Sequence, residues 1–260
     1  MSNQKIIPTI NSQQSMENFI RDDSPLREIV KSITTEQLQD LGASLKILEV
    51  GCGNRTFIKQ LVEQRQSQWF GLDLKKNSAA THKGSVSKIP FPDGFFDRVI
   101  ASQSIEHWYE YATTFNEGLH EIYRVLKRDG EFILNYPLYL HGHPFFMLGK
   151  TDRIHALFSP EVWKIEDIRI HHPAQPFYCW QGRRLRLYDQ WFMTRLVKRQ
   201  HKSAYIEQIV LCKNKQDIPR RSSMSHILRG IEKLGYTVLY LMRGVTEKVA
   251  LYIIRTKGNI

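Results

Sequence analysis

Cysteine is scarce in this chain: Cys52, Cys179 and Cys212 are its only three in 260 residues, widely separated and odd in number. That excludes a disulfide framework and a paired-cysteine zinc site, and it points to a reducing compartment. No apolar core of signal-peptide length follows the single lysine of MSNQKIIPTINSQQS, so a cleaved secretion signal is not expected. The expected location is the cytoplasm. No long uncharged run occurs in the C-terminal helical stretch either. The stretch from Leu234 to Met242 spans only nine residues, against the roughly 20 that a membrane-crossing helix needs. Acidic residues are scarce at one end alone: positions 182 to 260 hold 17 Lys and Arg against 5 Asp and Glu, whereas positions 1 to 181 hold 20 against 21. The net charge of +11 therefore belongs to the C-terminal stretch. A localised excess is read either as a solvated face or as a surface for an anionic partner.

What is present suffices for one substantial core, with 42% hydrophobic and 11% aromatic residues and no internal repeat. Three parts are expected: a flexible arm over 1–24, a globular domain over 25–215, and a basic amphipathic helical extension over 216–260. Pro25 opens a helical pattern through Gln39, with Asp23 or Ser24 as N-cap and Gly42 closing it. LKILEV, Leu45 to Val50, suits a strand buried on both faces. Phe57, Leu61 and Val62 mark a second helix. Further strands are expected at Gln68 to Leu74, Lys83 to Val86, Asp97 to Gln103, Glu131 to Pro137, Trp163 to Ile170 and Ala204 to Cys212. Between the fourth and fifth, FNEGLHEIYRVL carries Phe115, Leu119, Ile122, Val125 and Leu126 at helical spacing. Alternating strands and helices call for a parallel sheet covered on both faces, with ligands beyond the carboxyl ends of its strands.

The motif ILEVGCGNRTF occupies the first strand and the turn that follows it. Gly51 and Gly53 permit positive backbone dihedrals and a close approach to a ligand. Glu49 precedes them, and Asp73 stands twenty residues beyond Gly53 at the end of the next strand, where a carboxylate can accept both hydroxyl hydrogens of a ribose. Two more elements follow in order, KIPFPDGFFDRVIASQSIEHW and RVLKRDGEFILNYP.

Taken together, these four elements from Leu45 to Pro137 resemble the class I S-adenosylmethionine-dependent methyltransferases, in particular the type 11 group. The resemblance implies a Rossmann-like α/β fold: a seven-stranded, mostly parallel sheet with one antiparallel strand, which Ala204 to Cys212 would supply. It implies S-adenosylmethionine as cofactor, with Glu49, Gly51, Cys52 and Gly53 around the methionine part, Asp73 and Leu74 at the ribose, and Ser85, Val86 and Gln103 around the adenine. The cofactor half would occupy about 45–137 and acceptor-side insertions about 138–203. Two positions depart from the family pattern. Ser85 stands where an aspartate is frequent, and Arg55 replaces a third glycine. A pyrophosphate would need that glycine, but S-adenosylmethionine has no phosphate.

Methyl transfer to a hydroxyl asks for in-line placement about 3 Å from the methyl carbon and for removal of a proton. Histidine suits the second task near neutral pH. The candidates are His107 after the fourth strand and His141 and His143 after the fifth, against the alternatives of a structural partner for Glu106 and a lid without proton transfer. No metal is expected, because the His-Gly-His pair has no further ligand at suitable spacing. His171 and His172 are read as scaffold, and Trp108, Tyr109 and Tyr111 as packing. From Ser225 to Ile254 a basic amphipathic helix is expected, suited to the anionic inner face of a membrane. The expected acceptor is a small molecule or glycan, such as a sugar hydroxyl in polysaccharide or lipopolysaccharide assembly. The rival readings are an RNA methyltransferase, which lacks a recognisable RNA-binding module, and a protein that binds the cofactor without catalysis.

Overall fold

In the computed structural model, residues 25–177, 179–180, 183–184, 202–214 and 234 are described. The N-terminal arm, most of the basic stretch from position 182 onward and the expected C-terminal helix lie outside them. Leu234 is described alone, as an exposed helical residue.

Helix α1, Pro25–Gln37, stops two residues short of the sequence expectation. Strand β1 is Lys46–Val50, α2 is Phe57–Gln64, β2 is Gln68–Asp73, β3 is His82–Lys83 and β4 is Phe96–Ser102. A 3-10 helix, Ile105–Tyr111, leads to α3, Phe115–Val125, and β5, Leu126–Leu138. Two short helices follow, α4 at Pro144–Met147 and α5 at Thr151–His155, then β6, Trp163–His171. The small hairpin of β7, Cys179–Trp180, and β8, Arg183–Arg184, precedes β9, Tyr205–Lys213.

Seven strands form one sheet in the order β3-β2-β1-β4-β5-β9-β6. The pairs from β3 through β5 are parallel, and β9 runs antiparallel to both β5 and β6. The antiparallel strand is the one expected. Alternation along the central strands splits the core. Leu48, Val50, Val99 and Ala101 face α3 and its Leu119, Ile122 and Tyr123. Ile47, Trp69 and Ile100 face α2 and its Ile58 and Val62 on the other side. Helix α1 joins that second side through Leu26, Val30 and Ile33 against Ile206. Helices thus cover both faces, as buried parallel strands require.

Two strands differ from the sequence expectation by more than one residue at an end. Strand β5 begins at Leu126 rather than Glu131, because Leu126 pairs with Phe96 before a shift in register brings Arg98 opposite Glu131. The exposed charges of that extra segment mask it in the sequence, and Lys127 there bonds Asp97 at 2.6 Å. Strand β3 ends at Lys83 rather than Val86. Ser85 Oγ accepts the Ser87 N–H, a local turn that competes with the sheet ladder.

Helix α3 starts with a capping box between Thr114 and Glu117, which satisfies end donors that the helix itself cannot. Near its other end, Arg124 reaches the carbonyls of Ile89 and Phe91 and the carboxylates of Asp93 and Glu121. This guanidinium ties the PFPDG loop to α3, so the third and fourth sequence elements are one structural unit.

Candidate functional site

The loop after β1 is built around one carboxylate. Asp73, at the end of β2 and buried, accepts the Gly53 N–H through Oδ2 at 2.8 Å and the Lys75 N–H through Oδ1 at 2.7 Å. Each oxygen keeps a second acceptor direction for a ligand hydroxyl. Gly51 and Gly53 have φ of +71° and +58°, and a Cβ at Gly53 would stand in open space. The chain therefore offers a shallow cradle beside a fixed acid, which fits a ribose and its attached chain. Leu74, just beyond, is exposed.

Glu49 lies beneath the loop, buried, and its Oε2 accepts the indole N–H of Trp69 at 2.9 Å. Burial pushes its carboxyl up to about 7, while that hydrogen bond and the Arg55 guanidinium oppose the rise. Cys52 turns its thiol into the apolar cluster with Ile58 and Trp69, and burial pushes it up to about 12. Its side chain is scaffold; only its backbone borders the loop. Ser85 is engaged with Ser87 and Thr113, and Val86 is packed into the core. Gln103 leaves β4 with φ of +52°, held to Asn135 through both its backbone N–H and its side chain.

Arg55 points inward. Its guanidinium reaches the Ser102 carbonyl at the end of β4, and its charge favours the ionised forms of both Glu49 and Glu106. The residue in the third-glycine position thus links the loop after β1 to the end of β4.

On the far side, the three candidate histidines part company. His107 Nδ1 bonds Glu110 at 2.8 Å, not Glu106, whose carboxylate is 3.9 Å from Nε2. His141 stacks on His107, with ring centroids 4.8 Å apart and planes at 21°. His143 turns away from both. It is buried among Tyr109, Phe115 and Phe145, its Nδ1 accepts the Phe145 N–H, and burial depresses its pKa to about 4. It is a neutral packing residue at ordinary pH.

Glu106, only a histidine's partner in the sequence expectation, is fully buried, and neither carboxylate oxygen has a hydrogen-bond partner among the described residues. Burial raises its pKa, with His107 and Arg55 opposing. Gly142, at φ of +91°, brings the His141 turn against it, since a Cβ there would come within 2.7 Å of the Glu106 side chain. The His143 N–H donates to the Glu106 carbonyl at 2.8 Å. Gly142→Ala is accordingly expected to lower stability by about 1–3 kcal/mol, read as a lower midpoint of thermal unfolding. A second buried group carries no signal in the sequence. His155 bonds Glu207 at 2.5 Å, beside Tyr136, whose phenol is pushed well above its ordinary value by burial and by the Glu207 charge.

The strand order with its last antiparallel strand, and the acid-braced glycine loop at the carboxyl end of β1, define a Rossmann-like fold of the methyltransferase type. Residues 48–134 match the type 11 family model, a methyltransferase domain, so this part of the chain is similar to the S-adenosylmethionine-dependent methyltransferases of that group. Among curated proteins, it is similar to the chloroplastic 2-methyl-6-phytyl-1,4-hydroquinone methyltransferase of Spinacia oleracea, 32% identical over 83 residues. That match covers 32% of this chain and 20% of the relative, so it spans about a fifth of the relative's length. Among solved structures, the YcgJ protein of Bacillus subtilis has a TM-score of 0.52 at 14% identity, over 73% of this chain and 100% of that one. A geranyl diphosphate methyltransferase in complex with S-adenosylmethionine has a TM-score of 0.51 at 10% identity, over 78% and 92%. Both show the fold. No helix among the described residues is long and apolar enough to cross a membrane.

Proposed function

We propose that the protein transfers a methyl group from S-adenosylmethionine to a hydroxyl of a small-molecule or glycan acceptor, such as a sugar in polysaccharide or lipopolysaccharide assembly. The observation that supports this best is that Arg55 links the acid-braced loop after β1 to the end of β4, beyond which the histidine pair lies. The loop carries the Asp73 grip on Gly53; the pair is the stacked imidazoles of His107 and His141.

The cofactor, when bound, supplies a methyl group already activated on a sulfonium. Asp73 accepts the ribose hydroxyls, and Glu49 faces the positive methionine ammonium. Ser85 is occupied by its neighbours, so recognition of the adenine there falls to the backbone at Val86 and to Gln103. The Glu110 carboxylate holds the Nδ1–H of His107, which leaves Nε2 with the free lone pair. In this reading that nitrogen takes the acceptor's proton.

Calorimetry with S-adenosylmethionine is expected to show binding, and labelled methyl is expected in small-molecule or glycan fractions of an extract. His107→Ala should lower turnover by about 10²–10⁴-fold while leaving cofactor affinity unchanged. Absence of cofactor binding, or label found in RNA alone, overturns the reading.

A further inference from the structure

We propose that Glu106, His107 and His141 form a binding site for one divalent transition-metal cation of the zinc, cobalt or manganese class. Their ligand atoms all lie within 4.8 Å of one another, and they come from the 3-10 helix after β4 and the turn after β5. The distance from His107 Nε2 to Glu106 Oε1, 3.9 Å, is too long for a hydrogen bond. It is within reach of one shared ion, whose bonds of about 2.0–2.2 Å would draw the two ligand atoms in to roughly 3.5 Å.

Glu106 supplies the second, independent observation. A fully buried carboxylate with no hydrogen-bond partner on either oxygen among the described residues is costly unless it is paired or binds a metal. His107 has the orientation that ligand histidines show, with its other nitrogen bonded to a carboxylate, here Glu110 at 2.8 Å, which fixes the ring. The charges are compatible: the Glu106 carboxyl feels a second carboxylate, Glu110, as well as one guanidinium, Arg55. Two imidazoles and a carboxylate form a donor set suited to zinc and its neighbours, and three protein ligands leave a position open to an acceptor oxygen. An ion there would occupy the His107 lone pair, so proton removal by that nitrogen belongs to the metal-free form of the chain. The site is defined by residues outside the cofactor grip, so it can be tested without cofactor.

The full chain, stripped of metal, is titrated with Co²⁺ and followed by visible absorption. One Co²⁺ per chain with a ligand-field band is expected, displaced by Zn²⁺. Glu106→Gln and His141→Ala should each weaken binding more than about 100-fold, and Glu110→Gln, which removes no ligand, about 10–100-fold. His172→Ala, on an exposed residue, should change nothing. Circular dichroism confirms that each variant is folded, and Glu110→Gln keeps the test decisive if the Glu106 variant is not. No stoichiometric band, or a band that survives all three substitutions, overturns the site. Cofactor binding is measured separately by calorimetry, so failure of the metal site and failure of the methyltransferase reading are distinguishable.

Discussion

Asp73→Ala is expected to lower affinity for S-adenosylmethionine by at least about 100-fold. Hydrogen bonds to a charged group contribute roughly 1.5–3 kcal/mol each, and a ribose offers two hydroxyls to this carboxylate. The variant also releases the Gly53 and Lys75 N–H groups that Asp73 now accepts, so the loop loses its brace along with its ligand contact. Asp73→Asn separates these contributions. An amide keeps one acceptor oxygen, so it can retain one of the two backbone bonds but presents no charge to the ribose. Its stability should stay closer to the parent than that of the alanine variant, while its affinity still falls. The readout is calorimetry, supported by the upward shift in unfolding midpoint that a ligand of the native state produces. Unchanged affinity in the alanine variant removes Asp73 from the ribose site and with it the assignment of the loop.

Glu49, Gly51, Gly53 and Asp73 are legible in the sequence because their geometry is local. A strand, a tight turn and the end of the next strand set their positions through neighbouring ladder contacts, and Glu49 and Gly71 are direct partners in the β1–β2 register. The antiparallel strand is legible for a similar reason, as an apolar run of the right length. The acceptor side is not, because its contacts join residues far apart in the chain. Glu106 and His107 are adjacent, but their third partner, His141, arrives only through the turn at Gly142. His143, two residues further, looks equivalent in the sequence and is turned into an aromatic cage by Tyr109 and Phe115 from other elements. Spacing argues against a metal site for the His-Gly-His pair because it takes both histidines together, whereas the fold separates them. Arg55 is ambiguous in the sequence for want of its partner, the Ser102 carbonyl across the sheet end.

The second large effect concerns pH. Burial raises Glu49 to about 7 from an unfolded value near 4.5, so the native state prefers the protonated form. A carboxyl shifted upward contributes stability that is complete below the unfolded value and lost as pH rises through the folded one. The free protein should therefore lose on the order of 3 kcal/mol between about pH 4.5 and pH 7 from this group, and Glu49→Gln should flatten that part of the profile. Cofactor binding reverses the preference. A methionine ammonium beside Glu49 favours the ionised carboxylate, so binding below pH 7 must expel a proton, and affinity should fall by up to about tenfold per pH unit as the medium becomes more acidic. Above about 7 the affinity should level off. Calorimetry in two buffers of different ionisation heat reads the released proton directly. Glu49→Gln should bind weakly at every pH and release none. An affinity that stays constant from about pH 5.5 to about pH 8 in the parent protein would mean that Glu49 braces Trp69 and does not meet the ammonium.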